Sequence, residues 1–323
     1  MAEAMLKDQI PQLVAILEAK RSFARKKYVR LMAIGAPMFA VAILFGALMV
    51  ILHWTNDNGA LLFIPVLLGI AGVVMMVMAA YYHRTYSSSA YSLLVNTIDQ
   101  TLFPKAFKDP NRGMILNVLL KPGFFASPDR YYGKNYKTAT YNGISFEQAG
   151  YDLQRRESHT DSKGNTYYTY ETYAKGTMYR FAYDRNFAAI VKVLEKGGLL
   201  TFGSGGLKKV ETEYMAFNKK FQIMTSDETL VFYLLTPQIQ EKILDLEGKF
   251  KGRFYMAFIG DELFIAVNDS DTSISIPFKT PITVESLTPV IECLAIPAVF
   301  ITLLGLNKTK FQKDAGTTLP SSN

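Results

Sequence analysis

The chain has 323 residues, of which 49% are hydrophobic and 20% are charged, and its formal net charge at pH 7 is +7. With 22 glycines and one cysteine, the composition excludes a collagen-like chain and a disulfide scaffold, and the apolar content excludes a disordered chain. These averages conceal two different regions, because Asp57 is the only charged residue between Leu31 and Tyr82.

The first segment, residues 1–30, is basic and amphipathic. Its apolar residues recur at helical spacing from Leu6 to Leu17, which predicts an arm lying on the membrane surface or on the cytoplasmic domain. The basic residues that we expect to face anionic lipid and to set the orientation are Lys20, Arg21, Arg25, Lys26, Lys27, Arg30 and, farther along, Arg84. Because this run adjoins an apolar segment of span length, it favours lipid over nucleic acid as its partner.

Two apolar runs follow, at residues 31–54 and 60–82. As a helix, either run would extend about 35 Å, and the hydrocarbon core of a bilayer is about 30 Å thick. The polar segment 55–59 between them predicts an external turn, so the pattern indicates a helical hairpin of two transmembrane helices. Lysine and arginine flank both outer ends and are absent from the turn, which predicts that both termini face the cytoplasm.

The rest of the chain divides into a connector, a domain and a tail. Residues 83–134 predict a helical connector whose helix ends before Pro104. From residue 135 to residue 311, short β-type segments alternate with helical ones, which predicts a β-rich cytoplasmic domain. Residues 312–323 are small and polar, which is typical of a disordered tail. The predicted fold class is therefore an α+β membrane protein with an N-terminal two-helix transmembrane hairpin.

Two hairpins are predicted near the start of this domain. Asn142-Gly143 is a strong turn signal between two β-type segments, and the alternation slips near Gly150, which suggests a bulge. A second hairpin turns around Asp161–Asn165. Its tyrosines allow two interpretations, a stacking platform for nucleic acid or a peptide, or ordinary aromatic packing within strands, which we favour. They are Tyr167, Tyr168, Tyr170 and Tyr173.

The later elements are predicted from the same signals. They are strands at Thr177–Tyr183 and Phe187–Leu194, a helix from Pro237 to Phe250, a hairpin of Arg253–Ile259 with Leu263–Val267 around Gly260-Asp261, a strand at Ser273–Phe278, and a helical region from Val284 to Leu306. The charge-free part of the last region, Cys293–Leu306, is too short to cross a bilayer and indicates a core helix.

Several short motifs resemble an uncharacterised bacterial family, a domain of unknown function, with two N-terminal membrane spans and a cytoplasmic β-rich domain. The motifs are Asp129–Gly133, Phe146-Glu147, Lys175-Gly176, Met178-Tyr179, Phe221 with Met224, Val231–Pro237, Phe254–Val267 and Leu304–Asn307. The resemblance covers most of residues 25–310. It implies this architecture and a bacterial origin, and it implies no catalytic residues.

The sequence predicts no catalytic or metal-binding cluster. The histidines, His53, His83 and His159, lie far apart, and Cys293 sits in an apolar segment that suggests an inert buried thiol. A phosphate loop needs Lys and Ser/Thr directly after its second glycine, whereas here the lysine is displaced. A flexible loop is favoured, and the alternative is a weak anion nest of Gly203, Gly205, Gly206 and Lys208. No cofactor is expected.

A large folded domain on a membrane anchor, without a catalytic cluster, suggests a binding or scaffold module that engages a protein or a lipid headgroup, rather than an enzyme. We expect it in the bacterial inner membrane, in contact with membrane lipid, with a protein partner or a second copy of the chain, and without nucleic acid. The alternative is an enzyme that acts on a membrane-proximal substrate through carboxylates such as Asp152, Glu157 or Glu171. Transport is disfavoured because the interiors of the two spans contain no ionisable residue.

Overall fold

A computed structural model describes residues 9–52, 63–197, 206–269 and 276–312 of the chain. Its helices are α1 (Ile10–Ile51), α2 (Phe63–Leu102), α3 (Leu116–Leu120), α4 (Met215–Lys220), α5 (Glu228–Leu234), α6 (Pro237–Glu247), α7 (Val284–Leu294) and α8 (Ile296–Leu304). Its strands are β1 (Phe107–Asp109), β2 (Arg130–Tyr141), β3 (Ile144–Thr160), β4 (Thr166–Glu195), β5 (Lys208–Val210), β6 (Phe221–Thr225) and β7 (Arg253–Asn268).

The chain divides into two compact units. The helical unit contains α1, α2 up to Thr101, and α7 with the segment before it. The sheet unit contains the described strands, α3 to α6, and α8. Two long apolar helices followed by an antiparallel sheet with shorter helices confirm the predicted α+β class.

Helices α1 and α2 are each long and apolar enough to cross a membrane. Their most apolar windows have mean hydropathies of 2.4 and 2.5, and 17% of each window is buried, as expected for surfaces that face lipid. The 42 residues of α1 extend about 63 Å, roughly twice the thickness of a bilayer core. Residues 10–30 of the predicted arm form the first half of this continuous helix, because residues 17–31 contain no glycine or proline to interrupt it. Leu6 and the predicted turn at 55–59 lie outside the described residues.

Small residues bring α1 and α2 together. A Cβ atom on Gly72 would lie 2.9 Å from the carbonyl oxygen of Gly35 and 2.9 Å from the backbone nitrogen of Phe39, so only glycine permits this approach. At the far end of the pair, the Thr101 hydroxyl donates to Gln9 Oε1 at 2.6 Å. The two helices therefore run antiparallel along each other, as a hairpin requires.

Helix α7 packs against α1 in the same unit. It begins with a capping box, in which Thr283 Oγ1 accepts a hydrogen bond from the Ser286 N–H and Ser286 Oγ accepts one from the Thr283 N–H. The strand predicted for Ser273–Phe278 is wrong in its described part, residues 276–278. Phe278 instead packs its ring edge-on against His83, with 4.5 Å between the ring centroids.

The sheet unit is antiparallel, with strand order β1-β2-β3-β4-β6-β5 and β7 paired to β4. The first predicted hairpin is confirmed, because Asn142 and Gly143 join β2 to β3 with φ values of 47° and 82°, as a type I′ turn requires. The predicted bulge near Gly150 lies opposite that residue in β2, where the register shifts between Lys134 and Lys137.

The hairpin turn predicted at Gly260-Asp261 is wrong. The sequence predicts that the chain reverses at Gly260-Asp261, but β7 continues and pairs with β4 on both sides. Phe258 pairs with Val191 and Leu263 pairs with Phe181, and the register in β4 shifts between these pairs. Gly260, with φ of 64°, therefore marks a bend that both strands share. β4 likewise joins three predicted strands into one.

The predicted connector at residues 83–134 is only partly helical. Helix α2 ends at Leu102, before Pro104 as predicted, but β1, α3 and the start of β2 follow within the same range. The segment around α3 covers one face of the sheet, where the rings of Phe125 and Tyr151 lie 5.0 Å apart between centroids. These residues therefore belong to the core of the sheet unit.

The last predicted helix is broken at Ala295 into α7 and α8, which have 11 and 9 residues and are each too short to cross a bilayer. The pair would supply a third span only if it acted as one bent segment. In α8, the Phe300 ring packs 5.5 Å from Tyr179 and 6.2 Å from Phe254, between centroids. Helix α8 is thus a core helix of the sheet unit.

Candidate functional site

The basic residues predicted to face lipid lie along the first half of α1 and just beyond the apolar part of α2. Lys20, Arg25, Lys26, Lys27, Arg30 and Arg84 are exposed. Arg21 differs, because it is 5% exposed and donates through Nε to Glu18 Oε2 at 2.7 Å. Its Nη1 also donates to the Phe278 carbonyl oxygen at 3.2 Å, so Arg21 holds the segment before α7 and is not free for a headgroup.

The glycine-rich loop is described only at its end. Gly203 and Gly205 lie outside the described residues, Gly206 has a φ of 83°, and Lys208 is exposed in β5. The structure therefore leaves the anion nest a prediction.

The histidines and the cysteine do not assemble. His83 contacts Phe278, His159 stacks on Tyr167, and His53 is outside the described residues. Cys293 is exposed on α7, so the prediction of a buried thiol is wrong, because Cys293 lies off the face of the helix that carries the buried side chains. The described residues contain no group of three or more His, Cys, Asp or Glu side chains that would hold a metal.

The carboxylates named for an enzyme do not converge. Asp152 accepts a hydrogen bond from Thr172 Oγ1 at 2.9 Å and lies 3.8 Å from the Lys175 ammonium. Glu157 and Glu171 lie farther out, paired in register with Thr169 and Arg155 respectively. Because side chains alternate along a strand, Asp152 and Glu157 point to opposite faces of β3.

The strongest candidate site is the outer half of the β3–β4 hairpin, residues 154–172, which we call the Arg–Tyr ribbon. None of its side chains is buried, whereas Leu153 and Ala174 at its base belong to the core. The predicted turn is confirmed: Asp161 Oδ1 accepts from the backbone N–H groups of Lys163 and Asn165 at 2.8 Å each. These hydrogen bonds, led by Asn165, lower the pKa of Asp161.

Arginines stack on the tyrosines of one face of the ribbon. The Arg130 guanidinium lies 3.6 Å from the centroid of the Tyr170 ring, and the Arg156 guanidinium lies 4.8 Å from that of Tyr168. The two tyrosines are 38% and 57% exposed, so this face is open to solvent. A guanidinium that stacks on a ring keeps its N–H donors directed outward in its own plane.

These two arginines have no acidic partner in the described part of the chain. No described carboxylate lies within 4.0 Å of the side-chain nitrogens of Arg130 or Arg156. The two guanidinium groups are therefore held in place by aromatic rings and not by an ion pair with a described carboxylate.

The base of the ribbon is fixed by the segment Asp129–Gly133. The Asp129 carboxylate accepts from the Arg156 backbone N–H at 2.9 Å, and the Asp129 N–H donates to the Gln154 carbonyl oxygen at 3.0 Å. The Tyr131 hydroxyl donates to the Met114 carbonyl oxygen at 2.8 Å. Arg130 thus projects from a rigid strand.

The opposite face of the ribbon is more mixed. His159 stacks on Tyr167 with 5.3 Å between ring centroids, and its Nε2 lies 2.6 Å from Thr169 Oγ1. Arg155 lies 5.3 Å from the centroid of the Tyr173 ring, whose hydroxyl donates to the Ala126 carbonyl oxygen. Burial raises the pKa of Tyr173.

Nearer the core, β3 and β4 meet β7 and the end of α3 in a different arrangement, the inner charge network of Lys121, Glu147, Arg180 and Glu262. Glu262 is buried, accepts from Arg180 Nε at 2.7 Å and pairs with Lys121, and Arg180 reaches Glu147 at 3.1 Å. Burial opposes ionisation of Glu262, but the hydrogen bonds from Lys121 and Arg180 outweigh it and lower its pKa.

The sequence pattern drew attention to the tyrosines but missed the arginines that organise them. Arg155 and Arg156 lie in the first strand of the hairpin, and their position opposite the tyrosine-rich second strand was a usable signal. Arg130 lies in another strand, and its approach to Tyr170 required the pairing of β2 with β3.

Comparison with known proteins identifies a family model for part of the chain, and the description of that family names no activity. Residues 172–305 match the family model described as "Protein of unknown function (DUF3137)". The match confirms the resemblance to a domain of unknown function over these residues, and the two candidate spans are consistent with a membrane protein.

More distant comparisons add little. The chain is similar to the crystal structure of the mycobacterial trehalose monomycolate transport factor A, TtfA, at 7% sequence identity, with 62% of this chain and 92% of that chain covered and a TM-score of 0.33. This likeness is too distant to support an argument. No curated protein matches the chain.

Proposed function

We propose that the protein is a non-enzymatic, membrane-anchored binding module, and that its Arg–Tyr ribbon binds an acidic segment of another protein. The observation that carries the proposal is the pair Arg130 and Arg156, stacked on exposed tyrosines without a described acidic partner. Uncompensated, pre-oriented guanidinium groups are suited to carboxylates, which they bind with two parallel hydrogen bonds.

The spacing of the two arginines favours an extended peptide. Arg130 pairs in register with Gln154, and Arg156 is two residues farther along β3, so the two Cα atoms are diagonal neighbours about 7–8 Å apart. Every second side chain of an extended peptide points the same way, at intervals of about 7 Å. Acidic residues that alternate with neutral ones therefore fit both guanidinium groups, with the tyrosine rings between them as apolar contacts.

The proposal includes an orientation of the protein in the membrane. We propose that the protein resides in the bacterial inner membrane with both termini in the cytoplasm, since lysine and arginine flank the outer ends of both spans. Reporter fusions at Asn323 and within residues 55–59 test this directly. A reporter that is active outside the cytoplasm when fused at Asn323 would overturn the orientation.

The binding proposal is tested with the full chain in nanodiscs of neutral lipid. The probe is a fluorescent peptide of alternating Glu and Thr residues, with a Gln-Thr peptide as the uncharged comparison. The double substitution Arg130→Ala with Arg156→Ala is expected to weaken binding of the acidic peptide about tenfold or more. Arg155→Ala, on the opposite face and equally exposed, is the matched control and is expected to leave affinity nearly unchanged.

Two outcomes would count against the proposal. Equal losses for the double variant and the control would mean that only general charge matters. Absence of binding to the acidic peptide, together with capture of anionic-lipid vesicles that depends on the same two arginines, would assign the ribbon to lipid headgroups. Salt sensitivity of the peptide complex is expected, because both contacts are exposed ion pairs.

A further inference from the structure

Lys192 and Lys310 are partly buried lysines of the sheet unit that differ in what surrounds the ammonium group. Lys310 Nζ donates to the Leu234 carbonyl oxygen at 3.2 Å and lies 5.3 Å from the centroid of the Phe311 ring. Lys192, in β4, makes no hydrogen bond, ion pair or ring contact with any described residue. The fold therefore leaves the amine of Lys192 without a polar partner among the residues that the structure describes.

The surroundings of Lys192 are apolar. In register, it lies beside Met224 of β6 and Ala257 of β7, and both of these residues belong to or pack against the core of the sheet unit. A Cβ atom on Gly123, in the segment after α3, would lie 3.0 Å from Lys192 Nζ, so glycine at this position leaves room for the amine. Because Lys192 remains partly exposed, its amine lies at the edge of the core and within reach of a small molecule.

These surroundings favour the neutral form of the amine. Burial opposes the charge and lowers the pKa of Lys192. β6 contains no charged residue, and Lys121, near Gly123, is paired with Glu262. Glu195, farther along β4, pairs with Lys220 at 3.1 Å. A neutral lysine amine is a nucleophile, and desolvated lysines are the ones that form Schiff bases with carbonyl compounds.

We propose that Lys192 is a site of reversible covalent binding for small uncharged aldehydes, which its amine holds as a Schiff base. The nitrogen lone pair attacks the carbonyl carbon and forms a C–N bond, while the π electrons of the C=O bond move to the oxygen. A proton passes from the nitrogen to the oxygen, and the carbinolamine then expels water to give the imine. Amine and aldehyde thus give imine and water, so the step needs no oxidant or reductant.

The apolar setting selects the class of ligand. A carbonyl compound that carries a carboxylate or phosphate would have to bring that charge beside Met224 and Ala257, where no described basic side chain other than Lys192 itself is available to pair with it. An uncharged aldehyde has no such cost. The inference goes beyond the peptide binding proposed above and uses none of the residues of the Arg–Tyr ribbon.

Reductive trapping on the full chain in nanodiscs tests the assignment. The protein is incubated at pH 7 with propionaldehyde and cyanoborohydride, which reduces a Schiff base to a stable amine, and the modification of each lysine is followed by peptide mass spectrometry. The rate at each lysine is divided by its rate in the same chain unfolded in denaturant. For Lys192 this ratio is expected to be about three or more, because each unit by which a pKa is lowered raises the neutral fraction about tenfold, while burial restricts access.

Two lysines serve as internal controls in the same experiment. Lys163 is exposed in the turn of the ribbon, and its ratio is expected to be near one. Lys310 is partly buried like Lys192, but its ammonium group is held by backbone carbonyl oxygens and aromatic rings, so its ratio is expected to fall below one.

A carboxylate placed beside the amine gives an independent check. Met224→Glu sets an acidic group next to Lys192 in register, favours the ammonium form, and is expected to slow trapping at Lys192 about tenfold or more. Met224→Gln is the matched control, because it adds a polar side chain of the same length without charge, and it is expected to retain most of the trapping. Lys192→Met is expected to abolish the adduct and to keep the affinity for the acidic peptide.

The outcomes separate this inference from the binding proposal. A ratio for Lys192 no higher than that of Lys163 or Lys310, or trapping at Lys192 that Met224→Glu leaves unchanged, would overturn the Schiff-base site. Rapid trapping at Lys192 in a protein that ignores the acidic peptide would support the Schiff-base site and count against the ribbon alone. Peptide binding without trapping would have the opposite meaning.

Discussion

The inner charge network and the outer Arg–Tyr ribbon both involve β3 and β4, but they use charged residues in opposite ways. In the inner charge network, Arg180 is held by two carboxylates, Glu147 and Glu262, and one of these is buried. In the Arg–Tyr ribbon, Arg130 and Arg156 are held by aromatic rings and no described carboxylate neutralises them.

The difference follows from solvent. A buried charge must be paired because desolvation costs several kcal/mol, so the inner network is satisfied within the fold and has nothing left to offer a ligand. For an exposed guanidinium, the lack of a carboxylate partner costs little free energy. A ring fixes the direction of the guanidinium and leaves its N–H donors able to form hydrogen bonds. The proposed binding by the outer part rests on this feature, arginines that are ordered by rings without a described ion pair.

Glu262→Ala is expected to have the largest effect in this comparison. The substitution leaves Arg180 and Lys121 without their shared partner, and it should lower the free energy of unfolding by about 2–4 kcal/mol. The measurement is chemical denaturation of the full chain in detergent, followed by pulse proteolysis of the sheet unit.

The matched control is Glu171→Ala in the ribbon. Glu171 is exposed and lies in register with Arg155, and its removal should cost less than about 0.5 kcal/mol. If both substitutions destabilised the protein equally, the two parts of the hairpin would not differ in the way proposed here.

The sequence predicted what depends on local pattern. The apolar runs of α1 and α2, and the turns at Asn142-Gly143 and Asp161–Asn165, are set by residues adjacent in the chain, and the structure confirms them. Gly260-Asp261 has the same local signature but lies in a bend, because β7 pairs with the distant β4 instead of folding back on itself. Local signals cannot distinguish these two outcomes.

The contacts of the candidate site join residues that lie far apart in the sequence. The arginine that stacks on Tyr170 comes from β2, and the lysine that pairs with Glu262 comes from the end of α3. In both pairs the partners are brought together by sheet register or by packing of α3 on the sheet. Composition alone identified the tyrosines of the ribbon, but it assigned them to strand packing rather than to stacks with arginine.

Arg130→Ala is expected to loosen the ribbon and leave the inner part unchanged. Loss of the stack on Tyr170 should cost about 0.5–1 kcal/mol locally, because the pair is exposed. Hydrogen exchange should accelerate in residues 154–172 and remain the same in residues 144–153. Lys163→Ala, in the turn, serves as the control. Faster exchange throughout β3 in the Arg130 variant would show that the ribbon and the core unfold as one unit.

The smallest expected effect is a pH dependence confined to the ribbon turn. Hydrogen bonds from Asn165 and its neighbours lower the pKa of Asp161 relative to the unfolded chain. Because the pKa of Asp161 is lowered in the folded state, its contribution to the stability of the turn is fully present above the unfolded pKa, near 4. The contribution is lost as the pH falls through the folded pKa. Protection factors for the amides of Lys163 and Asn165 should therefore fall in acid. The turn at Asn142-Gly143, which contains no titratable side chain, should keep its protection, and a parallel loss there would point to general acid unfolding of the sheet.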